Sequence, residues 1–496
     1  MAGWSLSGLR TWDCIRAVDY LVSRPEVDKD KLAVMGNSGG GQMALLTTAV
    51  DERISACAAG HPGGSMENTY LLGQRFIDRQ VLSLIPPRPC RIIVGKDSGE
   101  EPGHRQKLED MQLFYEGLAA GKQCGDLEVV QGVHDMRQPK RESAYEWLNK
   151  WLGKEIEGRA EQPLQPEDVE TLWSTKSGIT LLSLGGESGQ TLNAKRAEQI
   201  YNPERDIAKL KNSVAKRIHF EVPQNHNVDL WKWRGTLTSD NFTVEKYLYE
   251  SEKGIEIPSL LMRPKYPGSN RLVIIHASDK GKPTKMDVSS IPVEMVRKGY
   301  TILSIDVRGI GETDPSPQVT LNKYTGYISP QWRRDCLAIN SASFKRTMLG
   351  MRALDVIRAI DFIKTRDELK EKRIILVGEG LGGLWTLLAA IYDSRPEAVM
   401  CVGTLASYRL ILKNKYYNVW GYFWLPGALC DFDIPDLAGL VPPKRQLWID
   451  PVNQLAERID KVKSYSLIGE HEGLSIIATE KGSIEEVSEA ISEFLR

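Results

Sequence analysis

Cysteine is scarce and scattered. Seven occur in 496 residues and none forms a C-x-x-C pair, so neither a zinc site nor a dense disulfide framework is indicated, and the cysteines read as core residues. No apolar run approaches the ~18 residues that a membrane span needs. Met1-Ala2-Gly3-Trp4 has neither the charged start nor the apolar segment of a signal peptide. Neither charge sign is in excess, with 64 basic against 65 acidic residues. No basic run could track a phosphate backbone, which argues against nucleic acid as a partner. What remains is a chain too long for one core, with room for roughly two to four domains.

The informative stretch is KLAVMGNSGGG, Lys31 to Gly41. A short apolar strand, Leu32 to Met35, runs into Gly36-Asn37-Ser38-Gly39-Gly40, and a helix begins near Gln42. This is a G-x-S-x-G elbow, in which a sharp strand-to-helix turn lifts a serine hydroxyl above the sheet and glycines let the backbone fold around it. The flanking helices that the motif requires are expected at Gly8 to Ser23 and Gln42 to Ala49.

Further on, strands are expected at Ile54 to Ala59, Cys90 to Val94 and Leu127 to Val130, and helices at Gln106 to Ala120 and Glu142 to Leu152. The alternation predicts an α/β fold with a mainly parallel sheet, which carries its chemistry at the carboxyl ends of its strands. A charged, proline-bearing stretch near Glu155 marks the exit from a first domain, 1–155. Residues 156–240 read as a connecting region, with a hairpin at Leu172 to Leu184 and a charged helix at Ala194 to Ala215. A second domain, 241–496, opens with strands at Thr243 to Glu250, Ile255 to Arg263, Leu272 to His276 and Thr301 to Asp306. Asp306-Val307-Arg308-Gly309, after the last of these, reads as an ion pair that fixes a loop.

The two domains repeat each other. Shifted by 342 positions without a gap, Gly8, Arg10, Asp13, Arg16, Asp19, Gly36, Gly40, Asp51 and Arg53 meet Gly350, Arg352, Asp355, Arg358, Asp361, Gly378, Gly382, Asp393 and Arg395. Ser38 falls opposite Gly380, so the second copy lacks a nucleophile. Aligning Pro86-Pro87 with Pro442-Pro443 sets Asn453 opposite Asp97, and matching Gly132-Val133-His134 with Gly469-Glu470-His471 retains the histidine.

A serine hydroxyl needs an imidazole base that a carboxylate orients. With the order serine, acid, histidine, Asp97 beyond the strand Cys90 to Val94 is the expected acid, and His134 beyond Leu127 to Val130 the expected base. Glu100 and Glu101 are alternative acids. His61 precedes any acid and reads as a pocket-rim residue, and His104 as a solvated loop histidine. The Gly39 N–H supplies one oxyanion donor. The second should come from a loop after an earlier strand, but only seven residues precede Gly8. The expectation is a shortened first domain, its elbow strand left as a sheet edge through which the chain self-associates.

The run GLRTWDCIRAVDYLVSRPEVDKDKLAVMGNSGGG resembles the corresponding stretch of acetyl xylan esterase-like and dienelactone hydrolase-like α/β-hydrolases, particularly tandem forms. The resemblance is specific over residues 4–150 and weaker over 241–496. It implies two α/β-hydrolase domains with mainly parallel sheets, the first lacking its N-terminal strands, and a triad of Ser38, Asp97 and His134. It also implies ester hydrolysis through an acyl-enzyme without a cofactor or metal, with acetylated plant polysaccharide as the expected substrate. Two other readings stay open: a prolyl oligopeptidase-type peptidase, for which no bladed β-domain is visible, and a catalytically silent binding protein.

Overall fold

Short, mostly apolar runs form the strands of this chain, and runs with helical period join them, in two compact units: residues 4–189, and residues 190–496 with 1–3. The computed structural model describes all residues except 1–2, 5, 64–77, 119–120, 122–123, 154–159, 164, 203–204, 222, 224–230, 267–270, 287, 315–333, 335–336, 339–340, 343, 420, 422–424, 426 and 443–444.

The first unit runs α1 (Leu6–Ser23), β1 (Leu32–Asn37), α2 (Gly39–Val50), β2 (Ile54–Gly60), β3 (Cys90–Gly95), α3 (Glu101–Gly117), β4 (Gly125–Val130) and α4 (Gln138–Leu152). Among the described residues its sheet has four parallel strands in the order β1-β2-β3-β4. Parallel strands are covered on both faces. Ala44, Leu45, Met111 and Tyr115 pack on one side, Ala144 and Trp147 on the other. The expected hairpin at 172–184 is instead a single turn at Val169–Leu172 and a short helix at Thr180–Leu184, whose leucines are exposed.

The second unit begins with α5 (Gly189–Ile200) and α6 (Ile207–Ile218), so the one helix expected over 194–215 is two. Asp206 caps the second by accepting from the N–H groups of Ala208 and Lys209. Ala197, Leu210, Val214 and Ile218 from these helices enter the unit's larger core. There follow β5 (Trp231–Thr238), β6 (Phe242–Glu252), β7 (Ile255–Pro264), β8 (Leu272–Ser278), α7 (Ile291–Arg297), β9 (Thr301–Ile305), α8 (Met348–Lys364), β10 (Arg373–Glu379), α9 (Gly382–Tyr392), β11 (Pro396–Val402), β12 (Arg445–Ile449), β13 (Leu474–Ile477) and α10 (Ile484–Leu495). The sheet order is β13-β12-β11-β10-β8-β9-β7-β6-β5, with β5, β6 and β7 antiparallel to their neighbours. Among the described residues no helix is long and apolar enough to cross a membrane.

The repeat read from the sequence extends to register and ion pairs. β1 and β2 shift register between Leu32 and Ala33, and β10 and β11 shift at the matching Ile374 and Ile375. Arg53 bridges Asp51 and Asp19 in one copy, as Arg395 bridges Asp393 and Asp361 in the other. The difference lies upstream of the elbow strand. β10 is paired on both sides, with β8 and β11, whereas β1 pairs with β2 alone and is a sheet edge among the described residues. The helix above it changes accordingly. Met348, Phe362 and Ile363 of α8 are buried, and Phe362 stacks on Tyr249 of β6 at 5.6 Å, while their counterparts Leu6, Tyr20 and Leu21 on α1 are exposed.

Candidate active site

β1 delivers its chain into the elbow under tight steric control. A Cβ on Gly36 would collide with the Gly40 carbonyl, and one on Gly378 would collide with that of Gly382, so both copies demand glycine at the turn. Ser38 sits at φ 56° and ψ −118°, a strained conformation for a residue with a side chain. It is held by its N–H donating to the Gly60 carbonyl at 2.8 Å, and by the N–H groups of Gln42 and Gly63 donating to its own carbonyl. Its hydroxyl does not cap α2. Gly39 opens that helix, where its N–H has no intrahelical acceptor.

The loops after β3 and β4 meet edge to edge. The Asp97 N–H donates to the Gly132 carbonyl at 3.0 Å, and a Cβ on Gly95 would collide with the carbonyls of Gly132 and Val133. This brings His134 to a carboxylate, but not to the one expected. His134 Nδ1 lies 2.9 Å and 3.1 Å from the two carboxylate oxygens of Glu100. Asp97 instead accepts from Gln131 Nε2 at 2.7 Å, and Glu101 pairs with Arg105. The reason is reach. Asp97 lies in the single turn Lys96–Ser98 beside β3, while Glu100, just before α3, has one more methylene and lies where three histidines converge.

His61 is buried at the end of β2. Its Nε2 accepts the Gly95 N–H at 3.0 Å and its Nδ1 lies 2.6 Å from Glu100 Oε2, so the ring carries its proton on Nδ1 and donates it to the carboxylate. Its ring stacks on that of His134, with centroids 4.4 Å apart. His104 is also buried rather than solvated, with Nε2 3.7 Å from Glu100 Oε2. Nothing in the one-dimensional pattern distinguished His61 or His104, because neither lies in a motif.

Burial sets the charge states. It lowers the His61 pKa, against the opposing pull of Glu100, and pushes His104 down to about 4. Burial by itself would raise the Glu100 carboxyl, but the hydrogen bonds from His134 and His61 outweigh it and leave it below its ordinary value. His61, Glu100 and His134 offer ligand atoms close enough to share a metal ion. The tautomer opposes this. A metal on Nδ1 of His61 would require the proton on Nε2, pointing at the Gly95 N–H.

These shifts predict an acid-labile first unit. A histidine with a lowered folded value is neutral in both states at pH 7, and protonates first in the unfolded chain as pH falls below about 6.5. Stability should therefore fall from pH 6.5 towards 4, by on the order of 3 kcal/mol from His104 at the lower end. Thermal melts across that range should show the loss, and His104→Leu should flatten it; an equal slope in the variant would refute the assignment.

The elbow of the second copy is blocked. Gly380 has φ 59°, and a Cβ there would lie 2.5 Å from Asp279 Oδ2. The same oxygen accepts the Leu381 N–H at 3.2 Å, in the place of the Gly39 donor. Ile93 and Ile449 take equivalent places beside Gly60 and Val402, which keeps Asn453 opposite Asp97 and puts Ala456 opposite Glu100. The histidine match does not hold. His471 precedes β13, whereas His134 follows β4; counting on from the pairs Ile93–Glu128 and Ile449–Ile477, the residue opposite His134 is Ser483. His471 Nε2 instead lies 3.1 Å from the Ile468 carbonyl. Asp306 and Arg308 are not paired with each other as expected: Asp306 is paired with Lys282, and Arg308 with Asp355 and Glu252.

Comparison with known proteins bears on the fold. The profile of the prolyl oligopeptidase family matches residues 8–84, and that of the alpha/beta hydrolase fold matches residues 286–480. The chain has the α/β-hydrolase fold. The chain is 28% identical over 171 residues to YtaP of Bacillus subtilis (strain 168), a match covering 31% of the chain and 56% of that protein. It is 45% identical over 58 residues to the acetyl esterase Axe7A of Xylanibacter ruminicola, covering 12% of the chain and 13% of that protein. Thus the chain spans little more than half of one relative and a small part of the other. Among solved structures, the acetyl xylan esterase from Paenibacillus sp. R4 has a TM-score of 0.40 at 18% identity, over 61% of this chain and 98% of that one. Acetyl xylan esterase 1 from Thermoanaerobacterium sp. JW/SL YS485 has a TM-score of 0.40 at 17% identity, over 59% and 93%. Neither likeness bears on the chemistry.

Proposed function

We propose that residues 4–189 carry a serine esterase site, with Ser38 as nucleophile, His134 as general base, Glu100 as the carboxylate that orients it, and the Gly39 N–H as an oxyanion donor. The observation that carries this reading is the His134 Nδ1 contact with Glu100, together with a strained Ser38 elbow tied to Gly60, whose neighbour His61 stacks on His134. A proton held on Nδ1 leaves Nε2 free to take the serine's proton as Oγ attacks the ester carbonyl. The same proton then goes to the departing alcohol, and water, activated in the same way, releases the acid. Short acyl esters, above all acetates, are the proposed substrates. The segment shared with an acetyl esterase supports this, and acetylated plant polysaccharide is the source that the sequence resemblance implies. A biotinylated fluorophosphonate tests the nucleophile. It should label Ser38, found by peptide mass spectrometry, and labelling of the intact chain but not at Ser38 would defeat the proposal.

A peptidase reading is favoured by the profile match at residues 8–84. The same preparation assayed on a prolyl p-nitroanilide and on an acetate ester separates the two, with the ester expected to be the faster substrate.

The second unit is then a non-catalytic copy. In a Ser38→Ala background, Gly380→Ser should yield no hydrolysis, because the new side chain would meet Asp279 and no histidine follows β13. Adding Asp279→Ala should not rescue it. Activity from the single change would show that another base serves that elbow.

The edge at β1 is the proposed route of self-association. An apolar, unpaired strand recruits another, and lysine on an edge discourages it. Sedimentation should show a concentration-dependent species that Met35→Lys reduces; a monomer at all concentrations would remove the proposal.

A further inference from the structure

Two imidazoles lie within hydrogen-bond distance of Glu100, with that of His104 farther off at 3.7 Å, and only His134 has a part in the reaction scheme. The other partner, His61, has an unusual setting. Its backbone lies at φ 41°, in the left-handed region that residues with side chains seldom occupy and that tends to persist where the surroundings demand it. Its Nε2 is tied to the backbone of β3 through the Gly95 N–H, which fixes both the tautomer and the plane of the ring. Protonating His61 would aim an N–H at an N–H, and would set a second cation against the face of His134 whenever that ring is charged. His61 is therefore a neutral donor at every stage at which His134 gains or loses a proton.

Glu100 needs such a partner. Its side chain is about one-third exposed and springs from the residue before a helix, so its three torsions are otherwise free to turn towards water. Ordering a glutamate side chain is entropically costly, and a carboxylate that wanders cannot hold an imidazole in one tautomer and one direction. A donor anchored in the sheet removes that freedom before substrate arrives.

We propose that His61 is a positioning residue, which clamps the Glu100 carboxylate from β3 so that it faces His134 Nδ1. This rests on the reading of Ser38 and His134 as nucleophile and base. The resulting chain of contacts runs from the Gly95 N–H through His61 to Glu100 and His134, and makes the acid of this site a carboxylate held by two rings.

Three variants of the full chain test it. His61→Phe keeps a buried ring against His134 but has no donor. His61→Gly suits the positive φ and has neither ring nor donor. His61→Asn tolerates the same backbone and can present an amide N–H near the place of Nδ1. On an acetate ester, kcat should fall about 10- to 100-fold in the Phe and Gly variants, as when an outer hydrogen-bond partner is lost, with KM little changed. The Asn variant should recover most of the loss. In imidazole-detected NMR, the His134 Nδ1–H signal should be present in the wild-type chain and in His61→Asn, and absent or broadened in His61→Gly and His61→Phe. An unchanged His134 signal together with an unchanged kcat in His61→Gly overturns the inference. If Ser38→Ala retains hydrolysis, the triad reading fails instead, and the NMR comparison still decides whether His61 holds Glu100.

Discussion

Glu100→Gln is expected to lower ester turnover about 10⁴-fold, while Asp97→Asn leaves it within a few-fold of the starting chain. An amide in place of the carboxylate offers the imidazole either a donor or a weaker acceptor, which favours the wrong tautomer of His134 and withdraws the charge that steadies its protonated form. Asp97 has no such leverage, because its carboxylate is engaged by Gln131. Ser38→Ala should remove turnover altogether. Initial rates on p-nitrophenyl acetate for the three variants decide the matter, and a large loss in Asp97→Asn with none in Glu100→Gln would return the acid role to Asp97.

Asp355→Ala is expected to destabilise the second unit by about 3 kcal/mol, whereas Asp13→Ala, at the matching place in the first, changes stability by less than about 0.5 kcal/mol. Asp355 is fully buried on α8. It accepts from the Arg308 backbone N–H at 3.0 Å, from its guanidinium, and from Ser251 Oγ at 2.6 Å. Removing it leaves a guanidinium and a hydroxyl in the interior without their acceptor; the loss falls at the lower end of the 3–5 kcal/mol range for broken buried pairs because Glu252 still meets Arg308. Asp13 is exposed on α1, and the described part of its unit has no strand corresponding to β6 or β9 to bring such an arginine to it. Hydrogen exchange of core amides in β8 and β10 reads the first effect, and those of β2 and β3 read the second. A comparable loss from Asp13→Ala would mean that its carboxylate is paired after all.

The elbow was legible in the sequence because its information is local. Gly36, Ser38 and Gly40 lie within five residues, and the backbone geometry that needs them involves few other atoms. The repeat was legible for a related reason. An ungapped shift preserves helical and strand periods, so Asp19 and Arg53 could be matched to Asp361 and Arg395 before their ion pairs were seen. Both copies also retain the alternation that makes a parallel sheet. The break between α5 and α6 had a signal in Asn202-Pro203, a helix-breaking pair, but the charged run around it keeps a helical composition; Asp206 caps the second helix.

By itself, the sequence determined the fold class, the position of the serine, and the loss of a nucleophile at Gly380, all of which follow from short-range backbone rules and pattern. Tertiary structure decided which carboxylate meets His134, that His61 and His104 share it, and that His471 stands at the wrong end of its strand. Those outcomes depend on how two loops on neighbouring strands approach each other to within a hydrogen bond. An Asp and a Glu three positions apart have nearly the same local signature, and only the path of the turn between β3 and α3 separates the one that reaches the imidazole from the one that does not.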